Sequence, residues 1–168
     1  PFKKGDWIQI GDTHAEVTEV RLRTTVLTTF DNETMVVPNN DLAAERIVNH
    51  TLTSRIRVRV PVGIAYKEDI DDAREVMLST LSGDSRVLDD PAPSVVVKEL
   101  GGSSVNLELR LWTQDPWDQF PMKWEYTEKC KKALDEADIE IPFPHLQLFL
   151  ERSEGVSELA GSGPELSS

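Results

Sequence analysis

Apolar Ile56, Val58, Val60 and Val62 alternate with Arg55, Arg57, Arg59 and Pro61 in the middle of this chain. A period of two sends successive side chains to opposite faces of a strand, so this segment has one apolar face that must be covered and one polar face. Ile70, Ala73, Met77 and Leu81 follow at helical spacing and predict a helix over about Asp69–Leu81. Glu68, Asp69, Asp71 and Asp72 crowd its first turn, where the helix dipole favours anions, and Ser82-Gly83-Asp84 ends it. Ser94–Leu100 reads as a strand and Gly101-Gly102 as a hairpin turn. Val105, Leu107, Leu109 and Leu111 alternate along the partner strand. Asp115-Pro116 breaks the chain before a second helix over about Phe120–Ala137, with Tyr126, Cys130, Ala133, Leu134 and Ala137 on one stripe. Strand, helix, strand, strand, helix predicts an α+β sandwich whose two helices cover one face of a sheet.

The first fifty residues follow a different rule. Trp7–Ile10, His14–Arg23, Thr25–Phe30, Thr34–Val37 and Ile47–His50 read as short strands, separated by Gly11-Asp12, Asp31-Asn32 and Pro38-Asn39-Asn40. The apolar phase shifts between Val17 and Val20, which predicts a bulge or a bend. Five short strands joined by tight turns suggest a small closed barrel. Near the other end, the prolines of Ile141-Pro142-Phe143-Pro144 restrict the backbone before a last strand, His145–Leu150. That strand is expected to leave the sandwich and pair with copies of itself. Residues 153–168 are rich in Gly, Ser and Glu and are expected to form a disordered tail.

Charge and composition narrow the function. Of 168 residues, 18 are Lys or Arg and 30 are Asp or Glu, a formal net charge of −12. That balance argues against binding a phosphate backbone or an anionic membrane surface directly. One cysteine, Cys130, excludes a disulfide within the chain and any multi-cysteine metal site, and fits a reduced, intracellular setting. No apolar run reaches the length of a membrane span, and no secretory leader is visible. The first residue is Pro1 rather than Met, so the chain is expected to be cut or processed from something longer.

Signals for catalysis are missing. His14, His50 and His145 lie far apart, and there is no phosphate loop, dinucleotide fingerprint or nucleophile elbow. Cys130, on an apolar stripe, reads as a buried structural thiol. Asp69, Asp71, Asp72 and Glu75 lack the spacing of a calcium loop and read as a solvated helix start. The glycosylation-type triplets at Asn32 and Asn49 are of a kind that arises often by chance. No enzyme, metal or cofactor is expected. Two non-catalytic features remain. Arg55, Arg57 and Arg59 share one strand face about 7 Å apart, either as a solvated face paired with nearby acids or as a wall that attracts small anions. Trp112, Trp117, Phe120 and Trp124 surround Asp115-Pro116, either as packing or as the lining of a ligand pocket.

Several segments resemble the cytoplasmic part of the small-conductance mechanosensitive channel (MscS) family, in family order over about residues 1–152. They are Pro1-Phe2-Lys3-Lys4-Gly5-Asp6-Trp7-Ile8-Gln9-Ile10-Gly11, then Thr28-Thr29-Phe30-Asp31-Asn32 with Val36-Val37-Pro38-Asn39. Val62-Gly63-Ile64-Ala65-Tyr66 with Asp69-Ile70-Asp71 follows, then Glu99-Leu100-Gly101-Gly102-Ser103-Ser104-Val105-Asn106 and Ile141-Pro142-Phe143-Pro144.

The resemblance implies an Sm-like β domain over 1–52, a ferredoxin-like αβ domain over 53–143, and a strand over 144–152 that joins its symmetry mates in an intersubunit β-barrel. It implies a homoheptameric cage beneath a pore of transmembrane helices that this chain lacks. The parent protein is then expected in a bacterial-type inner membrane, with this part on the cytoplasmic side. It would release ions and small osmolytes under tension during hypoosmotic shock, the cage acting as assembly platform and permeation filter. Arg55, Arg57 and Arg59 are candidate portal-lining residues on this reading. Glu151 and Arg152, at the barrel's end, are candidates for a charged ring. Two rival readings stay open: a metabolite-sensing regulatory module, and an Sm-like RNA-binding protein, which the acidic charge disfavours.

Overall fold

The structure, a computed structural model, describes residues 2–148. Five strands, β1 (Trp7–Ile10), β2 (Thr13–Val20), β3 (Thr24–Thr29), β4 (Thr34–Pro38) and β5 (Ile47–Asn49), form one antiparallel sheet in the order β4-β3-β2-β1-β5. Alternation along these strands buries Ile8, Ala15, Val17 and Leu27, with Phe2, Ile10, Met35, Val37 and Ile47 packed around them. The bulge lies where the phase shift predicted it. The register of β2 against β3 slips between Val17 and Glu19, and the Thr18 hydroxyl donates to the Val26 carbonyl at 3.0 Å. Asn32 takes the left-handed turn between β3 and β4, at φ 61°.

Two expectations for this half are corrected. Pro38-Asn39-Asn40 is not simply a turn, because a short helix, α1 (Asn39–Ala44), starts there. It buries only Leu42, too little apolar periodicity to register in sequence. Asn39 ties this helix to the β2–β3 hairpin: its amide donates to the Arg21 carbonyl at 2.9 Å and accepts from the Thr25 hydroxyl at 2.8 Å. The second correction concerns closure. Among the described residues β4 and β5 are unpaired edges, so the ladder does not close into a barrel.

The second half follows the predicted order. Strands β6 (Ile56–Ile64), β7 (Ser94–Leu100) and β8 (Val105–Thr113) form an antiparallel sheet in the order β6-β8-β7. Helices α2 (Ile70–Ser79) and α3 (Gln119–Glu136) cover one face, α3 after a single 3₁₀ turn at Pro116–Asp118. Val58, Val60, Leu107, Leu109 and Leu111 pack there against Met77, Met122, Tyr126, Cys130 and Leu134. The Asp69 carboxylate caps α2, accepting from the backbone N–H groups of Asp71 and Asp72 at 2.8 and 3.0 Å. A Cβ at Gly101 would sit 3.0 Å from the Ser104 carbonyl oxygen, closer than ordinary contact, so the hairpin turn favours glycine there. Burial pushes the Cys130 thiol up to about 11, in keeping with a structural role.

The strand expected over His145–Leu150 is not present over His145–Leu148, which carries no regular structure here. The two prolines restrict the backbone before it, and the His145 N–H donates to the Ser103 hydroxyl at 3.1 Å rather than to a neighbouring strand. Phe143, Leu146 and Leu148 are 84, 90 and 79% exposed. The rest of that strand, Glu151, Arg152 and the expected tail lie outside the described residues.

Candidate functional site: a cationic cleft on the open face of the sheet

The apolar faces of β6 and β8 look toward the helices, so their polar faces look away. Register then decides which polar residues meet. Arg57 lies opposite Trp112, Arg59 opposite Arg110, and Pro61 opposite Glu108. Two arginines facing each other directly repel. Arg110 escapes by turning along its own strand, where its Nε donates to Glu108 at 2.8 Å. Lys98, on β7, reaches the same carboxylate at 3.1 Å. The Glu108 side chain is only 3% exposed. Burial alone would raise its carboxyl, but Arg110 and Lys98 outweigh that and hold it below its ordinary value of 4.5.

The predicted arginine row therefore divides. Arg55 and Arg57 set their guanidinium carbons 5.9 and 5.8 Å from the centre of the Trp112 ring, close enough for cation–π attraction. Arg55 also donates to the Asp90 carbonyl at 3.2 Å and takes no further part. Arg57 and Arg59 turn into a cleft of about 280 Å³, together with Pro61, Lys98, Glu108, Gln119, Phe120 and Lys123. Among the described residues, no carboxylate comes within 4.0 Å of the charged atoms of Arg57, Arg59 or Lys123. The cleft holds four cations and one carboxylate, and that carboxylate is already engaged. A chain of net charge −12 thus has one concave face with a local excess of positive charge.

Sequence reasoning missed Lys98, Glu108, Gln119 and Lys123. Alternation in β8 puts residue 108 on the polar side, but only the register brings it beneath the arginines. Gln119 and Lys123 arrive on the first turns of α3, which crosses back to β6. There the Gln119 amide donates to the Arg57 carbonyl at 3.2 Å.

The predicted aromatic group divides as well. Trp112 serves the arginines, while Trp117 and Phe120 join residues of the first half in a seam. Trp117 lies 4.3 Å from Trp7 and 6.0 Å from Phe30, and Phe120 lies 4.9 Å from His14, centre to centre. Trp124 lies beside Phe120 at 6.2 Å, the two rings tilted by 36°. Two histidines that looked unrelated meet here: His14 and His50 stack at 5.6 Å with an interplanar angle of 19°. Burial lowers the pKa of both.

Among the described residues no helix is long and apolar enough to cross a membrane, and no group of three or more His, Cys, Asp or Glu could hold a metal ion. Two family profiles match the chain, one on each sheet. The mechanosensitive ion channel β-domain matches residues 1–52, and the MscS C-terminal domain matches residues 58–141. An uncharacterised MscS-family protein of Synechocystis sp. is 33% identical over 153 residues, covering 91% of this chain and 51% of the relative. The small-conductance mechanosensitive channel of Edwardsiella ictaluri is 33% identical over 150 residues, covering 89% and 52%. The chain thus spans about half the length of these curated relatives. The crystal structure of closed-state MscS from Helicobacter pylori superposes with a TM-score of 0.80 at 28% identity, over 91% of this chain and 60% of that one. With both sheets matched in order, the helices and strands alike, this chain belongs to the MscS family of mechanosensitive ion channels.

Proposed function

We propose that the chain is the cytoplasmic cage portion of an MscS-type channel that releases ions and small solutes under membrane tension in hypoosmotic shock. In this reading residues 1–52 form an Sm-like β domain beside the membrane and residues 53–143 a ferredoxin-like αβ domain. Residues 144–152 complete an intersubunit β-barrel, and seven subunits enclose a vestibule. The transmembrane helices belong to the rest of the protein, in the inner membrane. The reading draws its support from the ordered match of both family profiles, over residues 1–52 and 58–141. The exposed apolar run Phe143, Leu146 and Leu148 favours assembly, because such a stretch is stabilised by pairing with other copies.

The vestibule then acts as a permeation filter, with Arg57 and Arg59, flanked by Arg55, on a portal wall. Glu151 and Arg152 form a ring at the barrel's end. A local charge at a narrow passage outweighs distant ones, because screening acts over about 8 Å at physiological salt. The test is single-channel recording of the full-length protein carrying Arg57→Glu and Arg59→Glu, in asymmetric salt. A reversal potential displaced toward cation preference supports the wall, and an unchanged one removes it. Light scattering on this chain tests assembly: seven copies of 18.9 kDa give a particle of about 132 kDa.

A further inference from the structure

We propose that the cleft between β6 and the start of α3 is a binding site for small phosphorylated organic molecules, held by Arg57, Arg59 and Lys123. The argument is local and does not depend on the chain's being part of a channel. Arg57 and Lys123 are half-buried, and neither has a carboxylate partner among the described residues. Withdrawing a cation from water without a counter-charge is costly, and gathering three of them in one cleft adds mutual repulsion. An incoming dianion relieves both. Arg57 is already braced against Trp112 at 5.8 Å, so little side-chain freedom is lost when its guanidinium donates to phosphoryl oxygens.

Glu108 does not compete for these cations, because Arg110 and Lys98 occupy its oxygens. Its presence beside the cleft instead sets a limit: the site has room for one compact anion and no surplus of cations for a polymer. The volume, about 280 Å³, agrees with that size.

A second feature points to an organic group rather than a bare ion. The Gln119 Oε1 is buried and accepts no hydrogen bond, while its Nε2 is committed to the Arg57 carbonyl at 3.2 Å. A buried acceptor without a donor is an unmet demand, and none of the cleft's cations is bonded to it. The oxygen is closed to solvent as it stands, so a hydroxyl next to the phosphoryl group meets it when the Gln119 side chain turns toward the cleft. Pro61 and Phe120 supply apolar lining for the carbon skeleton.

Calorimetric titration of the 168-residue chain at low ionic strength tests this, with glycerol 3-phosphate and inorganic phosphate as probes. The expected result is one saturable site per chain, with glycerol 3-phosphate bound more tightly than inorganic phosphate. Arg59→Glu and Lys123→Glu each weaken binding by about tenfold or more, since each replaces an attractive partner with a repulsive one. Arg46→Glu, an exposed charge reversal on the other half of the chain, leaves it within about twofold. Gln119→Leu removes the preference for the organic phosphate and leaves inorganic phosphate bound. Circular dichroism shows that each variant is folded, and Arg59 is exposed, so its replacement disturbs no packing. Absence of saturable binding overturns the proposal. Equal loss in Arg46→Glu and Arg59→Glu also overturns it, because general charge attraction then explains the signal. These outcomes are read on the isolated chain, whereas the permeation wall is read as a reversal potential, so each can fail alone.

Discussion

Replacing Glu108 with Gln separates stability from ligand affinity in a single residue. The Glu108 carboxylate is 3% exposed and accepts from Arg110 at 2.8 Å, while Lys98 pairs with it at 3.1 Å. The amide keeps the shape and one acceptor oxygen but loses the charge. A hydrogen bond to a charged group contributes about 1.5–3 kcal/mol, and the Arg110 bond is of this kind. Lys98 is 57% exposed, so its share is at most about 1 kcal/mol, and it rehydrates when released. The expected net loss for Glu108→Gln is about 1.5–3 kcal/mol at neutral pH. For a chain of this length that corresponds to a fall in Tm of roughly 3–12 °C. Urea denaturation followed by tryptophan fluorescence gives the free energy directly. The sign of the pH dependence follows from the lowered carboxyl. Its contribution is full above the ordinary value of 4.5 and is lost as pH falls through the lower folded value. The gap between wild type and variant therefore closes in acid. Meanwhile the variant frees Lys98 for the cleft, so glycerol 3-phosphate binds more tightly even as the fold weakens. A variant as stable as wild type at neutral pH, or a gap that persists unchanged in acid, would refute the account of Glu108 as a buried, doubly held anion.

The His14–His50 stack predicts a second, higher pH window. Both pKa values are lowered, chiefly by burial, with His14 also repelling His50 and Asp12 partly opposing the shift at His14. The unfolded chain then takes up protons more readily than the folded one, so stability is full above about pH 6.5 and falls as pH drops toward the folded values. Urea midpoints measured across that range should decline for wild type and stay flat for the His14→Gln, His50→Gln double variant. Cys130, buried with its thiol pushed up to about 11, should resist iodoacetamide in the native chain and react only on unfolding. Alkylation at the same rate with and without urea would show that α3 opens readily.

Hydrophobic period alone located nearly every element. The alternation of Ile56, Val58, Val60 and Val62 and the helical spacing of Ile70, Ala73 and Met77 dictate one strand and one helix whatever surrounds them, because each must bury one face. The phase shift after Val17 marked the bulge for the same reason. Helix α1 escaped because a single buried leucine carries no period. Barrel closure and the last strand were not decided by local pattern either, since both depend on which edges find partners.

The cleft shows where sequence reasoning stops. Three arginines at alternate positions announced a basic face, yet nothing in their spacing distinguishes Arg55, which turns to Asp90, from Arg57 and Arg59, which enter the cleft. The difference lies in the β6–β8 register and in the return of α3, which brings Gln119 and Lys123 more than fifty residues along the chain to the same spot. Charge is a property of residues, and the sequence determined it in full. Whether a charge is paired is a property of distances, and only the tertiary structure sets those, spending the cleft's carboxylate, Glu108, on Lys98 and Arg110 and leaving Arg57, Arg59 and Lys123 without a counter-charge among the described residues.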